Sequence, residues 1–254
     1  MKARDYLARI AAAPPKGVTA EALRDLHAAH LRAVPFENLD IHRGVPIVLE
    51  EARILRKVVT GRRGGFCYEL NGAFDWLLSE LGFEVALLSA EVARPGGGFG
   101  IPFDHMALRV DIEGEPWLAD VGFGDSFVHP LRLVEGQTQE EAEYRYRLTR
   151  QGPYWHVERA PLDAEGYKTQ YRFTTAPRTL AEFRSGCEYH QTSPQSTFTQ
   201  KVLATRALED GRITVTPERV IVRQGKTRSE TALGDENEFR DVLARHLGIL
   251  LEGP

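Results

Sequence analysis

The run Arg62-Arg63-Gly64-Gly65-Phe66-Cys67-Tyr68-Glu69-Leu70-Asn71 sets a cysteine just after two cations and two glycines. A thiol attacks as its thiolate, which nearby cations and a helix N-terminus favour. Phe66, Leu70, Ala73, Phe74, Leu77, Leu78 and Leu81 recur at helical spacing, so Cys67 falls in or near the first turn of a helix. The glycines leave room for backbone to approach the sulfur. Buried cysteines are usually inert filler, so Cys67 alone decides nothing. A nucleophile also needs a base and a group to orient that base. His105, in Phe103-Asp104-His105-Met106, is the candidate base. Asp120, in Leu118-Ala119-Asp120-Val121-Gly122-Phe123-Gly124, is a candidate orienter, with Asp104 and Asp125 as rivals.

The elements that must position these residues are readable. His105 to Ile112 reads as a strand, Glu113-Gly114-Glu115 as a tight turn and Pro116 to Val121 as the returning strand. His105 opens one strand and Asp120 closes the other, and in an antiparallel pair those ends are neighbours. An enclosed Asp120 requires a partner, because a buried carboxylate without one is expensive.

The N-terminal third is helical. One helix covers about 2–12 and ends at Pro14-Pro15. A second, capped by Thr19, carries Leu23, Leu26, His27, His30, Leu31 and Val34 before Pro35. A third lies near 50–60 and is capped by Gly61. His27 and His30 share a helix face, but no HExxH pattern or cysteine pair makes them a metal site, and hydrogen-bonded helix histidines are expected. The segment Val34 to Leu39 reads as a turn between helices.

After Gly82 the period changes. Strands are expected at Glu84–Val92 and at about 144–149, 154–159 and 168–173, with a loop at Arg94–Gly100. Leu180, Phe183 and Cys187 suggest a short helix. Phe198–Ala207, Arg212–Pro217 and Arg219–Arg223 read as strands, with a turn at Asp210-Gly211. Asp235 or Asn237 caps a last helix carrying Phe239, Val242, Leu243 and Leu247. The fold class is therefore α+β: a helical bundle at 1–82 carrying the nucleophile, an antiparallel β-barrel at 83–190 and an α/β lid at 191–254.

Composition sets the background. The chain has 254 residues, 42% hydrophobic and 27% charged, with 32 basic against 36 acidic residues. No clustered basic excess suggests nucleic acid. The two cysteines, Cys67 and Cys187, are expected to be reduced, since a bridge would disable a catalytic thiol. With no signal peptide or membrane-spanning run in view, a cytoplasmic location is expected.

Taken together, Val34-Pro35-Phe36-Glu37-Asn38-Leu39, Arg63-Gly64-Gly65-Phe66-Cys67, Asp104-His105, Asp120-Val121-Gly122-Phe123-Gly124 and Ser193-Pro194 before Phe198 resemble the arylamine N-acetyltransferase family, in the family's order. The resemblance spans nearly the whole chain and implies a cysteine-protease-like triad of Cys67, His105 and Asp120, selecting Asp120 over its rivals. It implies ping-pong acetyl transfer from acetyl-CoA, as co-substrate, to arylamines or arylhydrazines, without a metal. Gly122, Phe123 and Gly124 would lie by the CoA pyrophosphate, with Ser196 or Thr197 also near CoA. Phe36, Phe123 and Phe198 would shape the acceptor pocket. An arginine beside the cysteine could instead brace a carboxylate such as Glu37. Three rivals remain: an amide synthase acting on an aromatic polyketide chain, a cysteine peptidase or transglutaminase-like enzyme, and a non-catalytic protein.

Overall fold

The computed structural model describes residues 1–141 and 143–251. Its N-terminal helices are α1 (Ala3–Arg9), α2 (Ala20–Ala33), a short α3 (Leu39–His42), α4 (Glu51–Leu55), which runs into a π turn at Arg56–Thr60, and α5 (Cys67–Glu80). Thr19 Oγ1 accepts from the Ala22 N–H at 3.1 Å and starts α2 as expected. The apolar stripe of α5 is wholly enclosed: Leu70, Ala73, Phe74, Leu77 and Leu78 have no exposed surface. Burying such a side chain contributes roughly 1.5–3 kcal/mol, so α5 is held by packing, and the Cys67 end is fixed with it.

Two antiparallel sheets follow. The strands are β1 (Phe36–Glu37), β2 (Glu84–Val92), β3 (His105–Ile112), β4 (Glu115–Ala119), β5 (Leu131–Arg132), β6 (Gln139–Glu140), β7 (Tyr144–Gln151), β8 (Tyr154–Pro161), β9 (Lys168–Arg178), β10 (Ala204–Leu208), β11 (Gly211–Thr216), β12 (Arg219–Gln224) and β13 (Thr227–Ala232). The larger sheet has the order β5-β4-β3-β2-β9-β8-β7-β6 and forms a nearly closed barrel. Its two edge strands meet through one side chain. Gln139 Oε1 accepts from the Arg132 N–H at 2.7 Å, and Gln139 Nε2 donates to the Arg132 carbonyl at 3.1 Å. The second sheet runs β1-β10-β11-β12-β13 and packs on α8 (Glu236–Val242), which Asp235 caps. Between the sheets lie α6 (Arg184–Thr192) and α7 (Thr197–Gln200).

Three local expectations change. Phe36–Glu37 is a strand rather than a turn, pairing with Thr205 and Ala204, so it ties the N-terminal region to the C-terminal sheet. Phe198 lies in a helical turn, not a strand, because Ser196 Oγ accepts from the Phe198 N–H and starts α7. Strand β13 was not expected. It is exposed throughout, so no buried alternation marks it, and it is defined by pairing with β12. Among the described residues no helix is long and apolar enough to cross a membrane, and no group of three or more His, Cys, Asp or Glu could hold a metal ion.

Candidate active site

The turn before Cys67 is shaped by close approach. A Cβ on Gly64 would lie 1.9 Å from the Pro35 carbonyl oxygen, and one on Gly65 would lie 2.6 Å from Glu69 Oε2. The glycines thus admit the backbone of 35–37 and the returning Glu69 side chain, rather than something approaching the sulfur. Glu69 accepts from the Phe66 N–H at 3.2 Å at the start of α5. The Glu37 N–H donates to the Gly65 carbonyl at 2.9 Å.

The neighbouring cations do not serve the thiol. Arg63 Nε and Nη2 donate to Glu37 Oε1 at 3.0 and 2.7 Å, and Nη2 also reaches Asp40 Oδ1 at 2.9 Å. Lys57 joins Asp40 and Glu69 at 2.8 and 2.7 Å. This largely buried cluster braces the turn, as one reading of the sequence allowed. Arg62 is exposed. Burial pushes the Cys67 thiol well up, and a hydrogen bond from the Met106 N–H only partly opposes this. The cysteine therefore depends on a proton acceptor rather than on adjacent guanidinium groups.

The candidate acceptor, His105, stands at the start of β3. Its partner lies just past the end of β4, whose register pairs Leu108 with Ala119. His105 Nε2 and Asp120 Oδ2 are 2.7 Å apart, and both residues are buried. Burial pushes the Asp120 carboxyl up, but His105, the Asn71 amide and the Gly122 N–H outweigh it and hold its pKa below the ordinary value. An ionised Asp120 only accepts, so His105 carries its proton on Nε2 and Nδ1 is left to take another. The rival carboxylates are engaged elsewhere. Asp104 accepts from the Val92 N–H at 3.0 Å and pairs with His190 at 3.2 Å. Asp125 Oδ1 takes Arg212 Nε at 3.1 Å and Arg223 Nη2 at 3.0 Å, and the Asp125 carbonyl takes Arg159 at 3.0 Å.

Three further residues complete the setting. Asn71, one helical turn beyond Cys67, donates to Asp120 Oδ1 at 2.9 Å and to the Met106 carbonyl at 2.6 Å, and accepts from the Val121 N–H at 3.0 Å. Its i+4 spacing from Cys67 was a visible signal, since the two share a helix face. Gly122 lies against Cys67: a Cβ there would be 2.7 Å from the Cys67 Cα, while its N–H donates to Asp120 Oδ1 at 2.9 Å. Tyr171 is fully buried with its ring 5.2 Å from that of His105, and nothing in its local sequence marked it.

The aromatic candidates form two groups. Phe123 sets its ring 5.4 Å from His105, edge to face, and 5.2 Å from Tyr171. Phe198 contacts Phe36 and Phe66, each at 5.9 Å. Gly124 bridges the groups, since a Cβ there would meet the Phe36 ring at 3.6 Å. Thr197 is exposed, whereas Ser196 is buried with its hydroxyl 3.0 Å from His190 Nδ1. Ser196, His190 and Asp104 are thus linked, but the Ser196 oxygen caps α7 and fastens that segment to the barrel. Cys187 is buried between Ile47 and Gln191, and burial pushes its thiol up to about 12.

A thiol at a helix start, an imidazole and an ionised carboxylate converging between a helical region and a β-barrel define a papain-like cysteine acyl-transfer enzyme. A family model described as N-acetyltransferase matches residues 19–254. Human arylamine N-acetyltransferase 1 is 32% identical over 91% of this chain and 88% of its own length. The Salmonella typhimurium arylamine N-acetyltransferase / N-hydroxyarylamine O-acetyltransferase is 37% identical over 81% and 73%. Among solved structures, the Salmonella typhimurium arylamine N-acetyltransferase superposes with a TM-score of 0.91 at 32% identity, covering 97% of this chain and 90% of the other. The Mycobacterium marinum enzyme in complex with CoA gives 0.89 at 32% identity, over 98% and 93%. The chain belongs to the arylamine N-acetyltransferase family. It is an acetyl-CoA-dependent N-acetyltransferase with a Cys-His-Asp centre.

Proposed function

We propose that this enzyme N-acetylates arylamines and arylhydrazines by a ping-pong path through an acetyl-Cys67 intermediate, with His105 as base and Asp120 as its orienter. The observation that carries the reading is the 2.7 Å His105–Asp120 bond, which leaves Nδ1 as the proton acceptor for a thiol that burial otherwise keeps protonated. Proton transfer from Cys67 to His105 makes the nucleophile, and ionised Asp120 stabilises the imidazolium. The thiolate attacks the acetyl carbonyl, and backbone N–H groups near Cys67 stabilise the oxyanion. The C–S bond to CoA breaks, and the CoA thiolate takes the imidazolium proton. A neutral arylamine then attacks acetyl-Cys67, His105 removes its proton, and the Cys67 thiolate leaves.

The contacts proposed for the substrates follow from the surroundings. Phe36, Phe123 and Phe198 offer aromatic faces for a flat acceptor. Three guanidinium groups gather at the single carboxylate of Asp125, directly after Gly122-Phe123-Gly124, and this positive surplus suits the CoA diphosphate. The Gly122 N–H is committed to Asp120, so Phe123 and Gly124 are the backbone candidates there. Thr197 is the more accessible of the two hydroxyl candidates, Ser196 and Thr197.

The test is direct. Acetyl-CoA without amine is expected to add one acetyl group to the Cys67 peptide, removable by hydroxylamine or by an arylamine. Parallel double-reciprocal lines are expected, and Cys187→Ala should retain most activity. Intersecting lines with no adduct would overturn the covalent path. Turnover of peptides or glutamine amides with indifference to acetyl-CoA would favour a peptidase or transglutaminase-like reading.

A further inference from the structure

His27 stands in the middle of α2, far from the triad in sequence, with no exposed surface. Its ring stacks on Phe127 at 5.8 Å and meets Phe74 edge-on at 5.9 Å. Its two nitrogens reach opposite ends of one loop. Nε2 accepts from the Asp120 N–H at 3.0 Å, and Nδ1 donates to the Val128 carbonyl at 2.7 Å. A backbone N–H can only donate and a carbonyl can only accept, so the ring is fixed as the neutral Nδ1–H tautomer. The segment between those two contacts contains Gly122, which lies on Cys67, and Phe123, which lies on His105.

We propose that His27 is a positioning residue of the active site: one neutral imidazole pins the Asp120 backbone and closes the base of the 120–128 loop, fixing where Asp120 meets His105. The inference rests on reading Asp120 as the orienter of His105. An ordinary core histidine needs only some partner for each nitrogen. Here both partners belong to the catalytic loop, and one is the backbone of the residue that must hold the base. Losing the ring nitrogens would orphan a buried N–H and a buried carbonyl and free the loop to shift. Protonation of Nε2 would set N–H against N–H. Burial opposes that charge and brings the His27 pKa down to about 4, although the Val128 carbonyl and the Asp120 and Glu141 carboxylates favour it; His129 disfavours it.

The test uses His27→Phe, which keeps the ring packing and drops both hydrogen bonds, and His27→Gln, whose amide has one donor and one acceptor to offer. The readouts are the pH profile of Cys67 alkylation by iodoacetamide, and kcat and KM for acetyl transfer. In His27→Phe, alkylation at neutral pH is expected to slow about tenfold with a shifted midpoint, and kcat to fall roughly ten- to a hundredfold with little change in KM for acetyl-CoA. His27→Gln should recover most of both. A folded His27→Phe that melts lower but keeps the wild-type alkylation profile and kcat would reduce His27 to a core residue and overturn the proposal. Should His27→Phe not fold, imidazole nitrogen NMR of the wild-type enzyme decides. A neutral Nδ1–H ring at pH 8 through 5 is required, and an Nε2–H ring or a titration near pH 6.5 overturns the assignment. Alkylation needs no acetyl-CoA, so an enzyme that failed to acetylate arylamines would still report on His27.

Discussion

Gly122 lies so close to Cys67 that an added Cβ would fall 2.7 Å from the Cys67 Cα and 2.9 Å from its carbonyl oxygen. Both atoms are backbone of the first turn of α5, and that helix is locked by its buried stripe, so neither can give way. Gly122→Ala is expected to push the 120–128 loop off Cys67 and to cut acetyl transfer by about a hundredfold or more. Overpacking should also cost roughly 1–3 kcal/mol of stability. Gly17→Ala is the control, since no atom lies within 4 Å of a Cβ there. Near-normal turnover in Gly122→Ala would show that the loop and helix are not rigidly apposed.

Asp120→Asn tests the charge while keeping the shape. The carboxylate now accepts from His105, Asn71 and the Gly122 N–H. An amide has one oxygen for these donors and must turn an NH2 toward another, so the Nε2–H tautomer of His105 is no longer enforced. Acetyl transfer is expected to fall by roughly three to four orders of magnitude with the fold retained. Turnover within about tenfold of wild type would remove Asp120 from its proposed role.

How far the sequence revealed this site depends on whether the deciding contacts are local. The His105–Asp120 approach follows from one hairpin, whose register is set by a tight turn and alternation over few residues. The helix placing Cys67 is equally local. Phe36 was different: its strand identity exists only through Thr205 and Ala204, far along the chain, and a two-residue strand has no period. Phe198 sits between Thr197 and Thr199, and all three favour strands, yet one Ser196 hydroxyl starts a helical turn instead. The glycines at 64–65 suggest backbone approaching the sulfur, whereas what they admit is the Pro35 carbonyl and Glu69, groups distant from or turned back on the motif. The expected help of the arginines to the thiol failed for the same reason, since Glu37 and Asp40, distant in sequence, claim Arg63. His27 was legible as a hydrogen-bonded helix histidine, but its partners were not.

Acid sensitivity follows from the buried histidines. Burial lowers His27 from an ordinary value of 6.5 to about 4, and lowers His30 in the same direction. Below pH 6.5 the unfolded chain therefore takes up protons that the folded chain refuses. The histidine contribution to stability is full above that pH and declines as pH falls toward 4. For His27 alone the loss is on the order of 3 kcal/mol. Asp120, whose folded pKa is lowered, adds a loss of the same sign as pH falls through its folded value. Glu69 and Asp75, which burial raises to about 6, work the other way, since the folded chain takes up their protons before the unfolded chain does. The difference between variants is therefore decisive. Urea unfolding at pH 7.5, 6 and 5 should show a smaller loss of stability on acidification in His27→Gln than in wild type. Identical pH dependence in the two would mean that His27 is protonated without cost in the folded enzyme.

The arginines at Asp125 make the last prediction. Arg223 is the most exposed of the three and donates to Asp125 Oδ1 at 3.0 Å and to the Tyr144 hydroxyl at 3.2 Å. Arg212 is nearly buried and also bonds Asp125, so removing Arg223 leaves the loop anchored. If the surplus positive charge serves the CoA diphosphate, Arg223→Ala should raise KM for acetyl-CoA about tenfold, close to 1.4 kcal/mol, with little change in kcat. The difference from wild type should shrink as ionic strength rises, because a partly exposed guanidinium is screened by salt. p-Nitrophenyl acetate has no phosphate, so its turnover should be nearly unchanged. That comparison separates a lost phosphate contact from a disturbed triad, which would slow both donors alike. Equal losses with the two donors would mean that Arg223 acts through the loop, and an unchanged KM for acetyl-CoA would place the diphosphate elsewhere in the cleft.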